Sequence, residues 1–246
     1  MQKLSVELYP QRNQIVQDAY DALVVSLYAC EPFPKSLCVT GSAPGSGKTT
    51  ISINLAISFV MSGRSALLVD ADIRKTSRFK RLGEADFLGL SDLLSGHSDF
   101  SEVVTSTNLE NLDFITSGNK TAANPLGLLY SPRFDYLLKT ALETYDLLIF
   151  DTSSLDANAD SSVIASKMDG TLLVTEKGSS IRMLEKNIDH LVSIGANVIG
   201  TVLNKLPKNE YKGYMEFYNY RHSERKNKNN RRAEPHGSTN QRSREG

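Results

Sequence analysis

The chain is expected to fold as an α/β domain, a mostly parallel sheet with helices on both faces, followed by a disordered tail. Three observations predict this. Short, near-continuous apolar runs alternate with longer helix-like stretches, the pattern of strands buried on both faces. A glycine-rich segment, Thr40-Gly41-Ser42-Ala43-Pro44-Gly45-Ser46-Gly47-Lys48-Thr49-Thr50, joins the first such run to a helix-like one. Aliphatic content then falls away after the last run, from about residue 207.

Taken in order, Gln14 to Ala29 shows helical periodicity. Ser36 to Val39 is short and rich in strand formers. Ile51, Leu55, Ile57, Phe59 and Val60 make the stretch after the glycine-rich loop read as a mostly buried helix. Further strands are expected to end at Asp70, at Ser117 (from Leu112), at Asp151, at Glu176 and at Asn204. Helix-like stretches lie between them, notably "SPRFDYLLKTALETY" and "IRMLEKNIDHLVSIG". Ligands of such folds bind beyond the carboxyl ends of the strands, where these polar residues fall. The expected domains are therefore residues 1–206 and a tail, 207–246.

At 246 residues, 40% hydrophobic and 23% charged, the composition is that of a soluble globular protein. No stretch approaches the roughly 20 apolar residues that span a bilayer. The N-terminal residues lack the apolar core of a signal peptide, so a cytoplasmic location is expected. Cys30 and Cys38 are expected to be buried free thiols. Net charge is zero but uneven: residues 221–246 carry eight Lys/Arg against three Glu, a net +5, leaving an acidic body at −5. The basic tail lacks a folded presentation for nucleic acid, so a solvated tail is expected and no nucleic-acid partner.

Strand, glycine-rich loop, Gly-Lys-Thr, helix is the setting of a phosphate-binding loop. Glycines let backbone N–H groups crowd a polyphosphate, and the helix start adds unpaired N–H groups and its positive dipole end. Gly45, Ser46, Gly47, Lys48, Thr49 and Thr50 are the expected nucleotide cradle. Lys48 bridges the outer phosphates, and the Thr49 hydroxyl serves Mg²⁺. ATP and Mg²⁺ are thus the expected ligands, on a P-loop NTPase fold. The strict pattern puts its first glycine at Ser42, and here the glycine comes one residue earlier, at Gly41.

Such a loop needs an acidic strand end to hold Mg²⁺. Asp151 in "LLIFDTSS" and Asp70 in "LLVDADIRK" are the candidates. Residues two apart on a strand end face one side, so Asp72 is expected to point toward the same site as Asp70, where it can orient a hydroxyl or accept its proton. Taken singly, each of these segments also reads as a solvated turn. Asn204 can read an adenine edge with paired donor and acceptor groups, although Asn before a loop is common.

Together these segments resemble the bacterial tyrosine kinases of capsular and exopolysaccharide biosynthesis, the CpsD/CapB type, over about residues 13–220. The likeness rests on "TGSAPGSGKTT", "LLVDADIRK", "GLSDLLSG", "SGNKTAANPLGLL", "YDLLIFDTSS", "GTVLNKL" and a tyrosine cluster near the C-terminus. The resemblance implies ATP-dependent phosphorylation of tyrosine. Lys48 and Asp72 would then be catalytic, with Asp72 accepting the tyrosine proton. Thr49, Asp70 and Asp151 would serve the metal, and Asn204 the base. Tyr211, Tyr214, Tyr218 and Tyr220 match the autophosphorylation cluster, though exposed aromatics can also pack on a partner. The implied partner is a membrane adaptor of the polysaccharide co-polymerase type, which would hold the kinase peripherally at the membrane.

The departures from that pattern carry expectations too. Thr76 follows Arg74 and Lys75 where a proline is frequent, and Ser153 and Ser154 replace two prolines after Asp151, which is expected to loosen the loops beside the metal. Glu176 and Lys177 stand where an arginine is common. In the first helix Asp18 aligns with an acidic position, but Asp21 and Val24 fall where related kinases carry the arginines that pair between subunits. Self-association is therefore expected to be weak without the adaptor. Two competing readings stand beside the kinase. One is a catalytically weak nucleotide-binding regulator of the same system. The other is a partitioning-type ATPase, which needs a signature lysine where this chain has Ala43.

Overall fold

A computed structural model describes residues 14–74, 87–118, 123–206 and Glu210. The described residues belong almost wholly to a compact unit that ends at Lys205. Seven strands form one sheet in the order β3-β4-β2-β5-β1-β6-β7. The strands are β1 (Ser36–Gly41), β2 (Ala66–Asp70), β3 (Thr105–Ser106), β4 (Leu112–Ile115), β5 (Leu147–Asp151), β6 (Gly170–Glu176) and β7 (Val198–Asn204). Every pairing is parallel except β3 with β4. The parallel, helix-covered sheet and phosphate-binding loop make this the P-loop α/β fold expected above.

Alternation along each strand divides the core. Leu37, Val39, Ala66, Leu68, Leu147 and Ile149 face α1 (Gln14–Tyr28) and α2 (Lys48–Met61). Cys38, Leu67, Val69, Leu148 and Phe150 face the other side. There they meet α3 (Leu90–Leu94), α4 (Phe100–Val103), α5 (Pro125–Leu129), α6 (Pro132–Thr144), α7 (Asp160–Lys167) and α8 (Ile181–Ser193). With both faces covered, the central strands β1, β2, β5 and β6 can be apolar throughout, which is why their sequence runs lack polar alternation. Helix α2 is buried from Ile51 to Val60, polar Ser52, Asn54 and Ser58 included.

Several details depart from the sequence reading. Strand β1 runs on to Gly41, two residues past the apolar run, because Thr40 and Gly41 pair with Leu173 and Val174 of β6. The short antiparallel β3 and the helices α3, α4, α5 and α7 are not legible individually in the sequence, since two to eight residues give too little periodicity to read. Cys38 is buried and its thiol is pushed up to about 12 by desolvation, but Cys30 is only half-buried. Among the described residues no helix is long and apolar enough to cross a membrane. The expected tail apart from Glu210, with its tyrosines Tyr211, Tyr214, Tyr218 and Tyr220, lies outside the described residues, as do Lys75 and Thr76.

Candidate functional site

Strand order brings the polar strand ends together. β5 lies between β1, which leads into the glycine-rich loop, and β2. Asp151 is in register with Val39 on one side and with Asp70 on the other. Two carboxylates from separate segments thereby stand side by side next to the start of α2.

The loop itself is shaped by its glycines. Gly45 and Gly47 take φ values of 81° and 94°, the left-handed region that disfavours side chains. A Cβ on Gly41 would sit 2.7 Å from both Ser46 Oγ and the Val174 carbonyl oxygen. Gly41 thus closes the loop against β6, while Ser42, in the slot where the pattern has glycine, accepts a bond from Asn187 Nδ2 of α8 at 2.7 Å. Ser46 Oγ is buried without a protein partner. A buried orphaned hydroxyl in a left-handed glycine loop, at a helix N-terminus, fits a polyphosphate.

Lys48 and Thr49 begin α2. Lys48 Nζ reaches back to the Ala43 carbonyl at 3.4 Å. Thr49 Oγ1 donates to Asp151 Oδ2 at 2.6 Å. Ser52, one helical turn further on, donates to Asp151 Oδ1 at 3.0 Å and to the Lys48 carbonyl at 3.1 Å. Ser52 escaped sequence reading, although three residues after Thr49 is the same helical face. Burial pushes the Asp151 carboxyl up to about 7, and the Asp70 carboxylate adds to the rise. The bonds from Thr49 and Ser52, and the charge of Lys48, work against it.

The pair Asp70 and Asp151 with the Thr49 hydroxyl fits Mg²⁺. That ion keeps several waters and takes one or two protein carboxylates plus phosphate oxygens, so it needs no all-protein cage. Among the described residues no group of three or more His, Cys, Asp or Glu is arranged to hold a metal.

Asp72 reaches the site by a different route from the one expected. Strand β2 ends at Asp70, and Asp72 lies in the loop beyond, so strand alternation does not aim it. Its backbone N–H donates to Asp70 Oδ1 at 3.2 Å, a local turn that folds the segment over the Asp70 carboxylate. Asp72 is half-buried and Asp70 buried. Asn204 is also tied to the loop: its Nδ2 donates to the Ser46 carbonyl at 2.9 Å and its Oδ1 accepts from Lys205 N at 2.8 Å. The amide expected to read a base therefore braces the phosphate loop. Thr50 contributes its carbonyl, which accepts from Asn54 Nδ2 at 2.7 Å.

After Asp151 the loop is held by hydrogen bonds rather than loosened, which corrects the expectation there; the loop at Thr76 lies outside the described residues. Thr152, Ser153 and Ser154 are all buried. Thr152 Oγ1 donates to the Val39 carbonyl at 3.0 Å, Thr40 Oγ1 to the Ser153 carbonyl at 3.0 Å, and Ser153 Oγ to Asn158 Oδ1 at 3.0 Å. Glu176 pairs with Lys205 Nζ at 2.5 Å, beside Asn204. In α1, Asp21 accepts from Gln17 Nε2 at 3.0 Å and from Ser58 Oγ of α2, and Val24 is buried in the chain's own core. Val24 is thus not available to an apolar interface between subunits.

A family described as an AAA domain matches residues 35–179. The tyrosine-protein kinase CpsD of Streptococcus pneumoniae serotype 4 is 35% identical over 207 residues, covering 82% of this chain and 91% of its own length. The tyrosine-protein kinase YwqD of Bacillus subtilis is 33% identical over 183 residues, covering 73% of this chain and 77% of its own. Among solved structures, the kinase domain of the Escherichia coli tyrosine kinase ETK superposes with a TM-score of 0.76 at 29% identity, covering 82% of each chain.

Proposed function

Because the chain belongs to the bacterial tyrosine-protein kinases of the P-loop type, we propose that it transfers the γ-phosphoryl group of ATP to tyrosines of its own C-terminal segment. The acceptors would be Tyr211, Tyr214, Tyr218 and Tyr220, and the process would regulate capsular or exopolysaccharide synthesis. The observation that carries this reading is the meeting of three groups beside one glycine-rich loop: the bonded Thr49–Asp151 pair, Asp70 in register with it, and Asp72 on the next loop.

The backbone N–H groups from Gly45 to Thr49 cradle the β- and γ-phosphates, and Lys48 leaves the Ala43 carbonyl to bridge them. Thr49, Asp151 and Asp70 would hold Mg²⁺, which when bound would supply charge neutralisation at the leaving diphosphate. The tyrosine oxygen attacks the γ-phosphorus in line, a P–O bond forms, and the bond to the β–γ bridging oxygen breaks to release ADP. Asp72 orients the attacking hydroxyl and takes its proton. Asn204 holds the loop through Ser46 and offers its remaining donor and acceptor capacity to the base.

A membrane adaptor of the polysaccharide co-polymerase type would activate this kinase and hold a cytoplasmic chain at the membrane surface. The experiment incubates the full chain with Mg-ATP and the adaptor's cytoplasmic segment, then maps phosphotyrosine. Lys48→Met should weaken nucleotide binding and abolish phosphorylation. Asp72→Asn should keep nucleotide affinity within a few-fold while phosphorylation collapses. Full phosphorylation by the Asp72→Asn chain would refute the role given to that residue. Retention of nucleotide with no phosphotyrosine in the unsubstituted chain would favour the catalytically weak regulator.

A further inference from the structure

Asp72 lies beyond the end of β2, where no strand pairing aims its carboxylate. Its neighbours do. Ile73 is fully buried and anchors the segment in the core. Arg74 then reaches across to α7: its Nε donates to Asp160 Oδ2 at 2.6 Å and its Nη2 to Asp160 Oδ1 at 2.9 Å. Asp160 is only 4% exposed, against 40% for Arg74. This is a forked pair with one buried partner, unlike the single-bonded exposed pairs that contribute little.

Asp160 is itself held from behind. Its backbone N–H donates to Asn158 Oδ1 at 3.0 Å, the same oxygen that accepts from Ser153 Oγ at 3.0 Å. The Ser153 carbonyl accepts from Thr40 Oγ1 of β1 at 3.0 Å. Contacts therefore run without a break from the phosphate-loop strand, through the loop after β5, to the segment that carries Asp72. Residues 151–160 contain no proline, and these hydrogen bonds give the loop a stiffness that its sequence does not.

Resting on the role of Asp72 proposed above, we infer that Arg74 is a positioning residue for phosphoryl transfer, which through its fork onto Asp160 sets the orientation of the Asp72 segment beside the Asp70 carboxylate. Ile73 fixes where the segment sits and the Arg74–Asp160 fork fixes its rotation. A planar guanidinium with two parallel bonds defines direction as well as distance, which a lysine cannot. Misplacing a reacting group by about 1 Å can cost roughly a hundredfold in rate, so loss of the fork should appear in turnover and hardly in nucleotide binding.

The test compares Arg74→Ala, Arg74→Lys, Asp160→Asn, the Arg74→Ala/Asp160→Asn double variant and Asp72→Asn in the full chain. Phosphotyrosine formation at saturating Mg-ATP and the affinity for a fluorescent ADP analogue are both read. Arg74→Ala should lower kcat by about 10- to 100-fold with nucleotide affinity within about 3-fold, and Arg74→Lys should fall between it and the unsubstituted chain. Asp160→Asn should lower turnover comparably, and the double variant should be no worse than either single one, because both act through one contact. An unchanged rate in Arg74→Ala, with Asp72→Asn inactive, overturns the positioning role alone. Full activity of Asp72→Asn instead overturns the reading of the site on which it rests. Equal losses of rate and nucleotide affinity in Arg74→Ala, or loss of cooperative melting in both Arg74 variants, would make the pair a structural requirement and also overturn it.

Discussion

Replacing Asp151 by asparagine should stabilise the nucleotide-free chain at alkaline pH while removing its response to Mg²⁺. Asp151 is 4% exposed, and its carboxyl titrates at about 7 rather than near 4, chiefly because burial penalises the charge. Between about pH 4 and pH 7 the folded chain retains a proton that the unfolded chain has released. Stability therefore falls as pH rises through that window and stays low above it. The difference corresponds to a cost of up to about 4 kcal/mol at pH 8, and relaxation around the site makes about 2–4 kcal/mol the working range. Asparagine removes the charge and keeps the shape. Its oxygen can accept the Thr49 hydroxyl, and its amide can donate to Ser52 Oγ, whose proton is directed at the Lys48 carbonyl. At roughly 2–4 °C per kcal/mol for a chain of this size, Asp151→Asn should melt about 5–15 °C higher at pH 8 and close to the unsubstituted chain at pH 5. Thermal melts at both pH values, with and without Mg-ADP, check this. The unsubstituted chain should gain stability from Mg-ADP, and the variant should gain much less. A variant destabilised to the same extent at pH 5 and pH 8 would refute the reasoning, because hydrogen bonding and not charge would then dominate at Asp151.

Three further substitutions or measurements probe the same site. Gly47→Ala should abolish nucleotide binding and cost about 1–2 kcal/mol of stability, since φ is 94° and the new Cβ would lie 2.1 Å from Asn204 Nδ2; retained ADP affinity by fluorescence titration would contradict this. Asn204→Ala removes the brace on the Ser46 carbonyl and should weaken ADP binding by about 5- to 30-fold, or roughly 1–2 kcal/mol; unchanged affinity by calorimetry would show that the brace is dispensable. Sedimentation of unphosphorylated chain at micromolar concentration should show a monomer or a weak assembly, because Asp21 is bonded to Ser58 and Val24 is buried within the chain; a stable closed ring would show that α1 assembles through other groups.

The sequence by itself determined every strand but β3, the four long helices α1, α2, α6 and α8, and the phosphate loop. Each depends on local chemistry: apolar runs too long to be loops, a 3.6-residue repeat, and glycines at a strand–helix turn. It also marked Thr49, Asp70 and Asp151, because residue type and position at a strand or helix end suffice for that. Tertiary structure decided how these groups are held. Side-by-side registry of Asp70 with Asp151 follows from β5 inserting between β1 and β2, a strand order that no segment encodes alone. Ser52, Asn158, Asn187 and Asp160 act through partners 86 to 145 residues away or through a neighbouring loop, so their roles exist only once the chain is folded. The one signal they left was polarity on faces otherwise buried, as with Asn187 beside Leu184, Ile188 and Leu191 of α8. The serines after Asp151 show the same limit from the other side. Missing prolines predict a loose loop from backbone entropy alone, whereas the folded chain ties that loop to β1 through Val39 and Thr40 and to itself through Asn158, and only their convergence in space makes the restraint.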